Sequence, residues 1–361
     1  MKTIDPWGAT LPEDYEHIVK DFGLEPYEHQ LPEENRLMRR GVVFAGRDIA
    51  RIANAIRKKE KFYVLSGIMP SGEKIHLGNK MVVEQIAYFQ KMGGQAYILV
   101  ADLEAAATRE LDLREARRRA MDFHIPAYVA LGLDPKKTIF YFQSDNKKVI
   151  QLAYEFSTKI TLNEFRAIYG GADPGRILSA ITQAADILYP QLEKPIPGII
   201  PVGVDQDPHI RLTRDVARRT QSKYGFVLPS SLYHKYTPSL KGGIKMSKSE
   251  VGSFIELPED AKSACKKIQQ AVTGGRKTVE EQRKLGAEIE KDMVFELLKQ
   301  HLVEDDRELQ RIYDDYKGGK MLSGEIKQLA CEKMTKFMND FTEKLEKARK
   351  NIADLRFVKF S

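Results

Sequence analysis

One segment of the chain constrains the fold more than any other, because it reads as a strand, a turn and a helix in succession. An apolar run at 62–65 is followed by a turn with two glycines and a proline, and then by helical spacing over 77–92. The first turn of such a helix carries unpaired N–H groups and the positive end of the helix dipole. Gly78 lets a ligand lie close to the backbone, and His76 and Asn79 add side-chain donors. The segment predicts a phosphate site at a strand-to-helix junction.

A basic loop far downstream carries the complementary chemistry. It begins with a lysine and two glycines at 241–243 and continues as Lys-Met-Ser-Lys-Ser at 245–249. Lys245 and Lys248 offer ammonium protons to a pyrophosphate leaving group. His-x-Gly-Asn occurs by chance in many chains, and a lysine-rich loop is usually solvated surface. Together, however, the two stretches predict both halves of an ATP triphosphate site.

Apolar runs alternate with amphipathic helical patterns along the first two thirds of the chain. The apolar runs lie at 62–65, 96–101, 139–142 and 199–204, and the helical patterns between them include 81–92 and 114–131. This alternation predicts a parallel sheet with right-handed crossovers. Ser66, Asp102 and Asp205 would then lie at the carboxyl ends of strands, where such sheets bind ligands. Both phosphate-binding stretches are expected at this edge.

The organisation predicted from these patterns is α/β with an appended helical part. We expect a small N-terminal cap at 1–60 and a Rossmann-like catalytic domain at 61–253, with a helical insertion at about 146–182. Apolar residues at three- and four-residue spacing then predict an all-helical C-terminal domain at 254–361.

Composition excludes several classes of protein. With 361 residues, 42% apolar and 30% charged, the sequence is ordinary for a globular chain. No leader-like segment and no long apolar run is present, so we expect a cytosolic protein that does not cross a membrane. Cys265 and Cys331 lack metal-ligand spacing, which predicts reduced packing residues and neither a disulfide framework nor a metal site.

A formal net charge of +7 is compatible with a polyanionic partner such as nucleic acid. The basic clusters are 39–40, 57–59, 114–119 and the lysines between 336 and 350. Taken singly, each cluster is better explained as a solvated helix face than as a nucleic-acid contact.

The Lys-Met-Ser-Lys-Ser phrase after a strand, a Pro-Ser-Gly turn and a helix is typical of class I aminoacyl-tRNA synthetases. Over nearly its whole length the chain resembles the tryptophanyl-tRNA synthetase family. Two phrases are similar to the bacterial branch: Ser-Gly-Ile-Met-Pro-Ser-Gly at 66–72 and Gly78-Asn79. In that branch Asn commonly replaces the second His of the His-x-Gly-His signature of class I enzymes. The phrases similar to the archaeal and eukaryotic branch are Arg-Arg-Gly at 39–41 with Phe44, Val-Asp-Gln-Asp-Pro-His at 204–209 with Leu-Thr-Arg-Asp at 212–215, Thr-Gly-Gly-Arg at 273–276 with Glu-Glu-Gln-Arg at 280–283, and Met-Leu-Ser-Gly-Glu at 321–325.

This resemblance implies a two-step reaction in which tryptophan and ATP form tryptophanyl-adenylate, and the acyl group then passes to tRNA(Trp). The substrate carboxylate is already ionised, so the reaction needs no general base. The protein must position the two substrates and neutralise the charge of the leaving group. His76 and Asn79 would hold phosphate oxygens, and Lys245 and Lys248 with Mg2+ would neutralise the pyrophosphate; no protein-bound metal site is implied. The positions that match ATP-binding residues are Ile68, Met69, Pro70, Ser71, Gly78, Gly203, Asp205, Met246, Ser247 and Ser249. Asp205 would accept from the ribose hydroxyls, or is instead a surface residue that caps a strand.

For the amino acid, the phrase Gln-Ala-Ala-Asp at 183–186 places Gln183 and Asp186 on one face of a helix-like stretch. The resemblance assigns Asp186 to the indole N–H. Gln183, Gln206 and Glu104 match positions that hold the substrate's ammonium or carboxylate. The alternative is that Asp186 caps a helix and the other three are surface residues.

Tyrosine is the competing substrate, because the sister tyrosine enzymes also carry an Asp where Asp186 stands. Leu65 disfavours tyrosine, since those enzymes place a phenol-binding Tyr there and a buried hydroxyl without its partner costs about 1 to 3 kcal/mol. Leu65 and Leu99 also depart from the Tyr and Gln of the archaeal and eukaryotic tryptophan pattern.

The resemblance further implies a homodimer formed through the helical insertion and an anticodon-reading C-terminal domain. Arg39 and Arg40 would lie near the active site or the acceptor stem. Two other classes stay open: a small-molecule nucleotidyltransferase of the same superfamily, and an inactive synthetase paralogue that only binds RNA. Both explain less of the sequence.

Overall fold

The computed structural model of the chain describes residues 15–171, 173–243, 245–246, 250, 252–352 and 355–358. Its strands are β1 Glu25–Pro26, β2 Val43–Arg47, β3 Tyr63–Ile68, β4 Ile75–His76, β5 Gln95–Val100, β6 Thr138–Phe142, β7 Gly198–Gly203, β8 Ser230–His234 and β9 Glu256–Leu257. Its helices are α1 Tyr15–Asp21, α2 Arg36–Arg39, α3 Ile49–Arg57, α4 Leu77–Lys91, α5 Asp102–Arg109, α6 Leu113–Arg119, α7 Ile125–Ala130, α8 Lys147–Ser157, α9 Leu162–Tyr169, α10 Pro174–Leu188, α11 Asp207–Arg219, α12 Gln221–Tyr224, α13 Ala261–Gln269, α14 Val279–Leu285, α15 Met293–Leu297, α16 Asp306–Lys317 and α17 Ser323–Lys350.

A mostly parallel sheet forms the centre of the molecule and confirms the predicted α/β class. Within the described residues its order is β1-β2-β8-β7-β3-β5-β6. The five strands from β8 to β6 are parallel, whereas β2 runs antiparallel to β8. Strand order reverses between β3 and β7, so the crevice at their carboxyl ends is the expected ligand position.

The apolar runs correspond to β3, β5, β6 and β7, each shifted by a few residues at most from its predicted bounds. Two parts of the sheet differ from the sequence expectation. The segment predicted as an N-terminal cap supplies β1 and β2 to the same sheet, where Ala45 pairs with Tyr233. The strand β8 is rich in buried polar residues, which hides it from a search for apolar runs.

The C-terminal region is helical but does not begin as a helix. β9 pairs with β4 through His76 and Glu256, so the residues after the lysine loop are tied to the start of α4. Beyond it, α13 packs against α17 around a core that includes Ile268, Met334 and Phe341. In the part of the chain that is described, no helix is both long enough and apolar enough to cross a membrane.

Candidate active site

A cavity of about 350 Å3 opens at the carboxyl ends of the central strands, at the reversal of strand order. Its wall is formed by Leu65, Ser66, Gly67, Met69, Asn79, Val82, Leu99, Ala101, Glu104, Arg109, Tyr128, Gln143, Gln183, Ile187, Ile200, Val202, Gly203, Gln206 and His209. Residues from α4, α5, α10 and α11 therefore face the same space as the strand ends.

The start of α4 is held by a reciprocal cap. His76 Nδ1 accepts a hydrogen bond from Gly78 N at 3.0 Å, and Asn79 Oδ1 accepts one from His76 N at 3.1 Å. A Cβ at Gly78 would lie only 2.8 Å from His76 Cε1. Glycine is thus needed for His76 to fold back over the helix, where an anion meets the helix N-terminus.

The turn before this helix is anchored from the opposite side. Arg119 Nη1 donates to Ser71 O at 3.0 Å, and the Nε2 of buried His124 lies 2.8 Å from Gly72 O. Ile68 ends β3 as a buried residue, and Met69 contributes to the cavity wall. The turn at 69–72 therefore has a fixed backbone beside the cavity.

The lysine loop reaches the same site through Lys245. Its Nζ lies 3.5 Å from Asp205 Oδ2 and 4.8 Å from the ring centroid of Tyr236. Met246 is buried and donates its N–H to Thr237 O at 2.9 Å. The predicted site residues Ser247, Lys248 and Ser249 lie outside the described residues.

Asp205 follows β7 and is oriented by its surroundings. Its N–H donates to the Tyr236 hydroxyl at 3.2 Å. A Cβ at Gly203 would come within 2.5 Å of Asp205 Oδ1, so this carboxylate position requires glycine there. The ion pair of Asp205 with Lys245 places a cation that can bind phosphate next to a carboxylate that can accept a hydrogen bond from a hydroxyl group.

The inner part of the cavity combines an apolar wall with a few polar atoms. Leu65, Leu99, Ile200 and Val202 supply apolar surface from three adjacent strands. Gln183 Oε1 is buried and lacks a hydrogen-bond partner among the described residues. An acceptor left in this state suits a ligand that carries N–H donors.

Glu104 brings a buried carboxyl group to this polar end. Its side chain lines the cavity, and burial raises its pKa to about 7. Arg109, which also lines the cavity, acts in the opposite direction on this pKa. A ligand ammonium group next to Glu104 would favour its ionised form.

Asp186 lies deeper than the sequence pattern suggests and does not belong to the cavity wall. It is fully buried, and its two oxygens accept from the Tyr141 hydroxyl at 2.9 Å and from Gln143 Nε2 at 2.6 Å. Burial raises its pKa to about 8, although both hydrogen bonds act in the opposite direction. In the structure, Gln143 stands where Asp186 was expected to face the ligand.

Sequence reasoning missed Gln143, Tyr128, His209 and Arg109 as cavity residues. Gln143 directly follows the run predicted as a strand at 139–142, so the strand-end rule that selected Asp102 would have found it. His209 Nδ1 lies 2.9 Å from the Tyr169 hydroxyl, and burial lowers its pKa to about 3. It is therefore neutral at pH 7.

Two of the basic clusters are largely engaged within the chain. Arg39 and Arg40 both pair with Asp306, and Arg40 also donates to the carbonyls of Lys299 and Val303. In the 114–119 cluster, three arginines pair with nearby carboxylates. Neither cluster is simply an open cationic face.

Comparisons with known proteins agree on the family to which the chain is similar. Residues 57–339 match the family model described as tRNA synthetases class I (W and Y). Tryptophan--tRNA ligases from Hyperthermus butylicus and Aeropyrum pernix are 42% and 43% identical to the chain, over 97% and 96% of its length and 97% and 95% of theirs. The crystal structure of tryptophanyl-tRNA synthetase from Aeropyrum pernix K1 superposes with a TM-score of 0.90, at 41% identity and 99% coverage of both chains. The tryptophan-bound synthetase from Encephalitozoon cuniculi superposes at 0.86 with 27% identity, covering 98% of this chain and 100% of that one.

Proposed function

The chain belongs to the class I tRNA synthetases for tryptophan and tyrosine, and on that premise we propose that it activates L-tryptophan with ATP and transfers the product to tRNA(Trp). Pyrophosphate leaves in the first step and AMP in the second. The observation that carries the proposal is the contact of Lys245 with Asp205, which lies between Gly203 and Gln206 of the cavity wall along the chain. It brings the lysine loop to the strand edge that also holds the capped start of α4.

Tryptophan is favoured over tyrosine by two observations. The relatives that match nearly the whole chain are named tryptophan--tRNA ligases. The cavity wall at Leu65 and Leu99 is apolar, so it offers a phenol hydroxyl no partner there but suits an indole ring.

For ATP, we assign the triphosphate to the capped helix start and the lysine loop. His76 and Asn79 would turn toward phosphate oxygens, Gly78 would allow close approach, and Lys245 would neutralise charge on the leaving pyrophosphate. In the free protein Lys245 and Asp205 partner each other. When ATP binds, a ribose hydroxyl would donate to Asp205 and a phosphate would pair with Lys245. Each of the two side chains would then exchange its partner for a favourable contact with the nucleotide.

The remaining nucleotide contacts are assigned by position in the sequence. Backbone groups of the turn and of the strand end would surround the adenosine, and the serines of the lysine loop would assist its lysines. These residues are Ile68, Met69, Pro70, Ser71, Gly203, Met246, Ser247 and Ser249. Lys248 keeps its proposed role at the pyrophosphate.

Mg2+ would enter with ATP. Among the described residues, no cluster of three or more His, Cys, Asp and Glu side chains has the arrangement of a metal site. The ion would bind phosphate oxygens of the nucleotide and help to neutralise the pyrophosphate.

For tryptophan, we assign the ammonium group to Gln183 Oε1 and Glu104, and the carboxylate to the neighbourhood of Gln206. The unpartnered oxygen of Gln183 and the buried carboxyl of Glu104 are both suited to a cation with several N–H donors. The indole would lie against the apolar wall and face Gln143, with Asp186 behind Gln143. No enzyme nucleophile is required, because the bound carboxylate attacks the α-phosphorus directly.

A homodimer through the helical insertion completes the proposal. Exposed apolar side chains, Tyr154, Leu162 and Leu178, lie on α8, α9 and α10. A groove of about 370 Å3 between α5, α8 and α10 is lined mainly by apolar residues. Contiguous exposed apolar surface of this kind is typical of an interface.

The dimer proposal has a matched test in two exposed leucines, Leu178 at 62% and Leu285 at 61% exposure. Light scattering after size exclusion should give a dimer mass for the native chain and for Leu285→Glu, and a monomer mass for Leu178→Glu. A monomeric native chain would remove the dimer from the proposal.

The helical region from 254 onward is proposed to read the anticodon, because it carries the long basic helix α17. Residues 61–253 would then form the catalytic domain, with the insertion at 146–182. The cytosol, where tRNA and ATP meet, is the proposed location.

The reaction is tested by exchange of pyrophosphate into ATP, run with tryptophan and with tyrosine and without tRNA. We expect exchange with tryptophan only, followed by charging of tRNA(Trp). Exchange with tyrosine alone would overturn the substrate, and exchange with neither would favour an inactive RNA-binding paralogue.

A further inference from the structure

The C-terminal segment 355–358, called the tail below, returns from α17 to the edge of the central sheet. Phe140 N donates to Arg356 O at 3.0 Å, and Val358 N donates to Phe140 O at 2.9 Å. These two bonds form a parallel bridge between Phe140 and Phe357. They belong to the hydrogen-bond pattern of parallel strands, so the tail covers the edge that β6 would otherwise expose.

Side chains of the tail alternate across the sheet as those of a strand do. Leu355 and Phe357 pack on the face whose core contains Phe140 and Phe142. Val358 packs on the opposite face, against the core that contains Leu65 and Leu99 of the cavity wall. The tail therefore touches both layers of the catalytic region.

Phe357 makes the most specific contact. Its ring is stacked on Phe142, with centroids 5.9 Å apart and an angle of 15° between planes, and it lies 5.6 Å from the Phe140 ring. Arg117 covers the Phe142 ring as well, with its guanidinium carbon 3.9 Å from the centroid. Phe142 is thus enclosed by groups from two distant parts of the chain.

The strand held in this way leads directly into Gln143, a polar residue of the cavity wall. Tyr141 donates to Asp186, and Gln143 donates to the same carboxylate while lining the cavity. Phe140 and Phe142 bind the tail, and Tyr141 and Gln143 alternate with them. A shift of β6 along or away from the sheet would therefore displace both partners of Asp186.

We infer that the tail is a positioning element of the amino-acid pocket: by fixing β6 it sets the orientation of Gln143 and Tyr141, and hence the affinity for tryptophan. This inference rests on the proposed function. Molecules in which the tail is undocked bind tryptophan less well than molecules in which it is docked. The apparent dissociation constant for tryptophan therefore rises as the fraction of molecules with a docked tail falls. By linkage, bound tryptophan stabilises the docked tail to the same extent.

The first test uses full-length Phe357→Ala, with Phe357→Leu as the conservative variant and Arg356→Ala as the control. Arg356 is exposed and contributes its carbonyl to the bridge, which the substitution keeps. An aromatic pair of this kind corresponds to about a 3- to 10-fold change in affinity. We expect Phe357→Ala to raise KM for tryptophan in pyrophosphate exchange by about that factor, with KM for ATP unchanged, partial recovery in Phe357→Leu and no effect in Arg356→Ala.

The second test needs no variant and no turnover. Amide hydrogen exchange of the tail in the full chain, followed by mass spectrometry, should slow when tryptophan is added. Unchanged exchange overturns the inference, and so do equal increases in both KM values for Phe357→Ala. A native chain without tryptophan-dependent pyrophosphate exchange would instead refute the proposed function, so the two failures are distinguishable.

Discussion

Arg36 forms a two-oxygen contact with Glu84: its Nη2 lies 2.7 and 2.8 Å from the two carboxylate oxygens. Arg36 stands in α2, whereas Glu84 lies on α4, the helix that begins at the His76 cap. The same guanidinium donates to Gln300 O and to Glu304 in the helical region. The side chain of Arg36 thus connects the N-terminal segment, α4 and the C-terminal region.

Replacing Arg36 by Met should destabilise the fold. The arginine side chain is 7% exposed and that of Glu84 19%, so the variant leaves a buried carboxylate with Lys80 as its remaining cation. Because Lys80 still pairs with Glu84, losing the hydrogen bonds of Arg36 to this largely buried carboxylate costs about 1 to 3 kcal/mol. Arg39→Met is the matched control, because the Arg39 pair with Asp306 is about 40% exposed on both sides and such pairs contribute about 0 to 1 kcal/mol. Urea unfolding measures both, and equal losses would contradict the assignment.

Gly78→Ala should weaken the use of ATP. The added Cβ would lie 2.8 Å from His76 Cε1, so the ring must shift from its position over the helix start, which weakens the cap. Displacement of a positioning group costs about 10- to 100-fold in rate. Pyrophosphate exchange at varied ATP should show this loss in kcat/KM for ATP. Gly324→Ala is the control, since a Cβ there would have no heavy atom within 4 Å; a similar loss in the control would refute the steric explanation.

The fold was predictable where local pattern and burial agree, and the site was predictable only in part. The runs that became β3, β5, β6 and β7 are apolar because both faces of a parallel sheet are buried. Strand β8 could not be found in this way, because Ser230, Ser231 and His234 owe their burial to neighbours that come from distant parts of the chain. Likewise, helical spacing places Gln183 and Asp186 on one face but cannot tell that β6 brings Tyr141 and Gln143 to cover Asp186. The role of Lys248 stays a prediction.

Tryptophan binding should depend on pH through Glu104. Burial raises the pKa of this carboxyl to about 7, so it is partly protonated at neutral pH in the free protein. An ammonium group prefers the carboxylate, hence KM for tryptophan should fall as pH rises from 6 through about 7 to 8. Binding at pH 7 should release protons, which calorimetry in buffers of different ionisation enthalpy detects. Glu104→Gln should abolish both the pH dependence of KM and the proton release. If KM for tryptophan in this variant depends on pH as it does in the native chain, Glu104 does not bind the ammonium group.

Asp186 should make folding stability fall as pH rises. Burial raises its folded pKa to about 8, whereas an unfolded Asp titrates near pH 3.9. Between these values the native state holds a proton that the unfolded state has lost, so the unfolding free energy decreases with pH across this window. Asp186→Asn should remove this slope, and the native chain should lose stability relative to the variant from about pH 4 to 8. Parallel curves would mean that the Tyr141 and Gln143 bonds keep the carboxylate ionised.

Lys245→Ala should slow adenylate formation without weakening tryptophan binding. The lysine contacts Asp205 and the Tyr236 ring and is absent from the cavity wall, so its loss leaves the proposed indole surface intact. Removing one preorganised donor from developing charge costs about 100- to 1,000-fold in rate. Single-turnover formation of the adenylate gives the rate, and calorimetric titration of the free protein gives the tryptophan dissociation constant. Lys241→Ala is the control, because Lys241 is an exposed lysine of the same loop. A large loss of tryptophan affinity with a normal rate of chemistry would move Lys245 from the leaving group to the amino-acid pocket.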